Sequence, residues 1–337
     1  MKDKEKIVRR FMAFFDVPEF VEPFIDRIVE EREMDLLLAM MDDSLTADQI
    51  AGRLDLSLSE TRSCLERAYS RSLISRETDN GAEFYSTVRF YNQLDTMATF
   101  EDWRGLPDNI RRQLGQWQID RYVEMKREDV DRKKREGPDS VVIGNDIIML
   151  LDELDEVIDA AHEIVVLPCD CRSVNEQCER PKEVCIWMDR LAETLLSKGK
   201  GRRIGKDEAL RIVEEADQAG LMHTVNGDWR SNGPTEICSC CSSDCYPFRA
   251  SRVLGAKGIW PRSCYIARHD EDVCVRCGRC AARCHFSAFA RRNEEGSGDG
   301  NGVSFDAKRC WGCGLCANTC PAGAITMEPL GGESKWL

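Results

Sequence analysis

Cys274, Cys277, Cys280 and Cys284 are followed by a second run with the same spacing, Cys310, Cys313, Cys316 and Cys320, the last of them before Pro321. Three cysteines set three apart wrap one segment around three corners of an iron–sulfur cube. The fourth points away, and in a two-cluster arrangement it ligates the other cluster. The expectation is one [4Fe–4S] cluster on Cys274, Cys277, Cys280 and Cys320, and a second on Cys310, Cys313, Cys316 and Cys284. Zinc knuckles pair CxxC motifs across a loop, and a third cysteine at the same interval does not suit them. Disulfide frameworks belong to short secreted chains. This chain has 337 residues, and its first apolar run, 11–15, is too short for a signal peptide.

Residues 263–330 resemble bacterial two-cluster ferredoxins. Two departures stand out: His285 follows Cys284 where a proline is usual, and the gap between the runs carries a polar, glycine-rich stretch, 291–302. That stretch reads as a hairpin insertion. Between 274 and 320, seven Arg and Lys face four acidic residues, in a chain of net charge −13. Cations beside a cluster raise its potential and steer acidic partners; a solvated surface is the plainer reading. The overall acidity argues against a generic nucleic-acid binder.

A second cysteine block lies upstream. Cys169, Cys171, Cys178 and Cys185 form a C-x-C-x6-C-x6-C set, and Cys238, Cys240, Cys241 and Cys245 a C-x-C-C-x3-C set. Neither spacing follows a helix face, and both lie among turn-forming residues. Thiolate ligands in so long a chain point to a reducing cytoplasm, where crowded cysteines are usually metal ligands. Eight thiols suit one or two further iron–sulfur clusters, divided set by set or drawing on both. Zinc and a redox-active pair at Cys240–Cys241 are the competing readings.

Here the chain resembles a poorly characterised family of cysteine-rich iron–sulfur proteins of anaerobic bacteria and archaea that end in a dicluster ferredoxin domain. The resemblance covers about residues 140–325. It rests on PCDCR (168–172), QCERPKEVC (177–185), DEALRIVEEADQAGLMH (207–223) and ICSCC (237–241). In that family the last motif is richer in cysteine; here Ser243 and Asp244 stand where further cysteines often occur. The resemblance implies electron transfer within a larger redox system, with a redox protein or oxidoreductase subunits as partners, and names no substrate.

The remaining signals are weaker. Cys64 and Cys264 read as packed thiols. His223 is a candidate ligand or proton donor, with a satisfied strand histidine as the plainer reading, and His162, His269 and His285 carry no functional reading. Residues 199–205 superficially resemble a dinucleotide fingerprint, but the spacing is wrong and the stretch follows a helix. No stretch approaches the ~18 apolar residues of a membrane span. No stand-alone catalytic site is visible.

Residues 1–100 read as a winged helix: helices near 35–41, 46–54 and 60–72, then a hairpin about Asn80–Gly81. Such modules commonly bind DNA through the helix that here carries Arg62, Arg67 and Arg71. Residues 44–90 hold six arginines against seven acids, which leaves little surplus for phosphate. Protein docking is therefore favoured over DNA. A helix from Pro107 ends in the mixed charge run 126–136, read as a solvated connector. Strands at 141–143 and 164–167 should flank a helix at 153–161, with further helices near 186–197 and 207–219.

The fold class is thus α+β and multidomain: a winged helix (1–100), a helical connector (101–138), a cysteine-rich α+β domain (139–258) and a dicluster ferredoxin domain (259–337). The leading function is intracellular electron transfer. The alternatives are an oxidoreductase with an iron–sulfur active site in the middle domain, and a redox-sensing winged-helix transcription regulator.

Overall fold

The computed structural model describes residues 2–292 and 302–330. The chain mixes helix and sheet and divides into two compact units. One holds the residues up to Arg121 with 173–175 and 194–200; the other holds the rest, including both cysteine-rich regions.

In the first unit, helices Glu31–Met40, Ala47–Leu54 and Leu58–Ser70 precede a hairpin of β1 (Ile74–Asp79) and β2 (Ala82–Thr87). Local chemistry sets these boundaries. Thr46 and Gln49 form one capping box and Ser57 and Glu60 another. Asn80 and Gly81 both take positive φ, the requirement of a tight two-residue hairpin turn. Phe11, Phe15, Met34, Leu37, Ile50, Leu65 and Phe90 are buried in one core. Two of the three arginines through which a winged helix would contact DNA are otherwise engaged. Arg67 pairs with Glu30, and Arg71 pairs with Glu33 and Glu101.

Helix Asp108–Glu136 contributes residues to both units. Its charged end departs from the solvated connector expected of it. Val130 and Lys133 are buried, and Lys133 Nζ lies 3.1 Å from the buried Asp146 carboxylate. A mixed charge run hides such a pair because sequence does not reveal which lysine faces inward.

The second unit is built on a seven-stranded sheet. Its strands are β3 (Ile147–Met149), β4 (Ile164–Pro168), β5 (Glu183–Met188), β6 (Arg202–Arg203), β7 (Met222–Val225), β8 (Glu236–Cys240) and β9 (Arg262–Ser263). They lie in the order β6-β4-β5-β8-β7-β3-β9, antiparallel throughout except for β3 beside β9. Helices Leu154–Ala160 and Lys206–Gln218 cover one face, burying Val157, Ile158, Ala209 and Val213 against Ile164, Val166, Ile186 and Ile237. Two sequence expectations shift here. The first strand is 147–149 and not 141–143, where Val142 is exposed. The stretch expected to begin a helix at 186 is the end of β5, and the helix starts at Asp189. Short apolar runs do not distinguish strand from helix by periodicity alone.

The C-terminal part repeats one pattern twice. β10 (Tyr265–His269) leads through a cysteine loop to helix Arg279–Arg283 and β11 (Phe289–Arg291). β12 (Val303–Phe305) leads through the second loop to helix Leu315–Asn318 and β13 (Ile325–Pro329). β10 pairs with β13 and β11 with β12, both antiparallel. Most of the expected hairpin insertion, 293–301, lies outside the described residues.

Candidate metal centre

The two C-terminal runs converge on one core. Cys280 is buried there, with Cys274, Cys284, Cys310, Cys316 and Cys320 packed against it beside Phe289 and Ile325. Cys277 is exposed. Burial, reinforced by neighbouring Cys284 and Cys310, pushes the Cys313 thiol up to about 12. Burial, then the charges of Cys313, Cys310 and Cys284, raises Cys316 as well. Cys284 therefore sits among the cysteines of the other run. Backbone N–H groups point at sulfur: Arg276 at Cys274 (3.4 Å), Ala288 at Cys284 (3.2 Å) and Gly312 at Cys310 (3.4 Å). Converging thiols with N–H donors fit cluster ligation, in which such bonds tune the potential.

Gly312 is needed for a steric reason. With φ at +67°, a Cβ there would lie 2.1 Å from the Tyr265 carbonyl oxygen.

The upstream cysteines do not divide into their two sequence sets. Cys169 neighbours Cys171 and Cys185, Cys185 neighbours Cys238, Cys238 neighbours Cys240, and Cys240 and Cys171 both neighbour Cys245. These six thiols form a closed ring. It is assembled from the start of helix Asp170–Asn175, which follows β4, from β5, from β8 and from the residue before helix Tyr246–Leu254. Cys240 and Cys245 Sγ are 3.2 Å apart. Opposing the upward push of burial, hydrogen bonds from Cys171 and Cys240 pull Cys245 down to about 6.

Its surroundings favour negative charge. Asn145 Nδ2 donates to Cys238 Sγ at 3.2 Å. Arg172 is 1% exposed and donates to the Ser239 carbonyl at 2.8 Å, while its Nε and second terminal nitrogen have no protein partner. A buried guanidinium beside buried sulfur is costly unless the sulfur is anionic. Sequence reasoning passed over Arg172, although its place directly after Cys171 was the available signal.

Cys178 and Cys241 stand apart from the ring. Their Sγ atoms are 3.6 Å apart, and Cys241 Sγ is 3.5 Å from Asp244 Oδ2. Cys238 and Cys240 share a face of β8 and pack near Phe248, while Cys241, just past the end of the strand, packs with Val184 and Leu221. Vicinal Cys240 and Cys241 therefore serve different clusters of thiols. Burial pushes Cys178 up to about 11.

Among the histidines, His223 lies on β7 opposite Ser239, whose hydroxyl is 3.3 Å from Nδ1, and burial lowers its pKa to about 4. His285 had drawn no functional reading. It joins the two cysteine regions, with Nε2 2.7 Å from the Gly220 carbonyl and Nδ1 3.2 Å from Ser242 Oγ. Cys264 lies between β9 and β10 and packs partly against the sheet core. Cys64 packs against the core of the first unit.

With this geometry in place, comparisons with known proteins bear on the C-terminal part. Residues 273–324 match the family described as a 4Fe-4S dicluster domain. Pyruvate synthase subunit PorD of Methanothermobacter marburgensis is 34% identical over 59 residues, 18% of this chain and 60% of that one. An uncharacterized ferredoxin of Methanocaldococcus jannaschii is 29% identical over 66 residues, 20% of this chain and 82% of that one. The chain thus spans a little under two thirds of the pyruvate synthase subunit. No solved structure matches. A ferredoxin-like iron–sulfur domain therefore occupies residues 273–324. Among the described residues no helix is long and apolar enough to cross a membrane.

Proposed function

We propose that the protein carries electrons between redox partners through a chain of iron–sulfur centres. In this reading Cys274, Cys277, Cys280 and Cys320 hold one [4Fe–4S] cluster, and Cys310, Cys313, Cys316 and Cys284 the second. The ring of Cys169, Cys171, Cys185, Cys238, Cys240 and Cys245 holds a further iron–sulfur centre. The clusters supply one-electron chemistry; the protein fixes their spacing and tunes their potentials through N–H donors, burial and charge.

One observation carries this reading. Ring residues Cys238, Cys240 and Cys245 pack in the same apolar cluster as Cys313, together with Phe248, Phe286 and Trp311. Thiols of the two regions share one water-excluding core, and His285 adds a polar link beside Cys284. A solitary catalytic iron would not need such a neighbour.

The similarity to a pyruvate synthase subunit supports an oxidoreductase complex as partner. Arg252, Lys257, Lys308 and Arg309 line a cleft with His285 and Trp311, next to Cys284 and Cys310. A cationic surface at that point suits an acidic partner whose approach weakens with salt. The module at residues 44–90, read as a winged helix, would dock protein, because Arg67 and Arg71 are tied to carboxylates.

The test is anaerobic quantitation of iron and inorganic sulfide with electron paramagnetic resonance. More than about eight irons and eight sulfides per chain, with interacting paramagnetic centres, are expected. Colourless protein containing only zinc would overturn the reading.

A further inference from the structure

We propose that Cys178, Cys241 and Asp244 form a separate mononuclear site for a borderline-soft divalent ion, zinc or ferrous iron, with one coordination position left open. This site goes beyond the electron-transfer chain and shares no ligand with the six-thiol ring.

The geometry is that of a tetrahedron waiting for its centre. With metal–sulfur bonds of about 2.3 Å and metal–oxygen bonds of about 2.0–2.2 Å, tetrahedral ligands lie roughly 3.5–3.8 Å apart. Cys178 and Cys241 Sγ are 3.6 Å apart, and Cys241 Sγ and Asp244 Oδ2 are 3.5 Å apart. The three ligand atoms all lie within 4.8 Å of one another.

Burial adds a second argument. Cys241 and Asp244 are fully buried. Asp244 Oδ2 is thereby held against the Cys241 sulfur away from bulk water. The surrounding bonds also hold the carboxylate in place. Asp244 Oδ1 accepts from the Gln177 N–H at 3.0 Å, and Ser243 Oγ donates to Oδ2 at 3.3 Å. The Asp244 N–H and Ser243 Oγ both point at Cys241 Sγ, each at 3.4 Å. These are the outer contacts that orient metal ligands. Cys178, by contrast, is only partly buried. The site therefore opens to solvent on that side, where a water or a small anionic ligand would complete the tetrahedron. Three protein ligands with a free fourth position is the pattern of a reactive ion, whereas structural sites are closed.

The test uses the full chain, prepared anaerobically with its clusters and then titrated with cobalt(II), zinc or ferrous iron. Wild type is expected to take up one additional ion, cobalt giving a thiolate charge-transfer spectrum. Cys178→Ser and Asp244→Ala should lose that ion while cluster iron and sulfide stay at the wild-type level. Asp244→Cys should keep the ion with a shifted spectrum, and Ser243→Ala should bind it roughly 10–100-fold more weakly. If Asp244→Ala or Cys178→Ser removes iron and inorganic sulfide together, these residues ligate a cluster and the mononuclear site is refuted. Failure of the wild type to bind any additional ion refutes it equally. Neither result depends on whether electrons pass through the clusters.

Discussion

In the C-terminal part each run of cysteines is delivered by one loop and one short helix, Arg279–Arg283 or Leu315–Asn318. In residues 169–245 six thiols converge from the helix start after β4, from β5, from β8 and from the turn before helix Tyr246–Leu254. The first arrangement is local: three of the four cysteines in each run come from seven consecutive residues, and nearby backbone N–H groups meet the sulfurs. The second depends on the sheet, since Cys185 reaches Cys169 only because β4 pairs antiparallel with β5, Leu167 lying opposite Cys185. Local construction makes a centre modular; assembly from a sheet ties a centre to the stability of a whole unit.

The sharpest way to break this contrast is to remove one thiol from each side. Cys313→Ser should abolish the second cluster and leave the ring's iron in place. Cys240→Ser should do the converse. Iron and sulfide content with electron paramagnetic resonance separates the two outcomes, and mutual loss would show one indivisible centre.

Next in size is backbone fit inside the local arrangement. Gly312→Ala forces a Cβ to 2.1 Å from the Tyr265 carbonyl, whereas Gly323, at φ +63°, has open space around its missing Cβ. Gly312→Ala should lose the second cluster. Gly323→Ala should cost only about 1 kcal/mol of left-handed backbone strain, read as a small drop in thermal midpoint with full iron content.

The sheet-built side should respond to acid. His223 is buried on β7, and its pKa falls from an ordinary 6.5 to about 4 through desolvation. The unfolded chain therefore binds the extra proton first. Stability present above pH 6.5 is lost as pH falls towards 4, by up to about 3 kcal/mol. His223→Asn should flatten that window when the unfolding profiles of variant and wild type are subtracted.

The smallest expected effect concerns Arg172. Arg172→Met removes the buried positive charge beside the ring, and roughly a 10–100-fold loss of metal affinity there is expected. Cluster content of residues 274–320 should not change, which spectra of the anaerobic variant will show.

Much of this was legible beforehand. The helices at 47–54 and 58–70, the Asn80–Gly81 turn and the helix at 206–218 are written in local propensity and spacing, so their placement followed, to within about two residues, from a few residues each. The strand at 147–149, the buried Lys133–Asp146 pair and the strand identity of 183–188 were not, because burial on both faces or a single inward lysine leaves no periodic trace. Asp244 stood out in sequence only as a missing cysteine, and its carboxylate became a candidate ligand once two sulfurs were found beside it.

The amino-acid sequence alone determined that this chain carries a doubled iron–sulfur motif, since three cysteines three apart place their thiols together whatever surrounds them. Only the tertiary structure decided how the eight cysteines of residues 169–245 group, six in a ring and two with Asp244. Adjacent Cys240 and Cys241 part company where β8 ends, and pairing of distant strands chooses their partners. Contacts within a few residues are fixed by bond geometry; contacts across a sheet exist only after the whole hydrophobic core has formed.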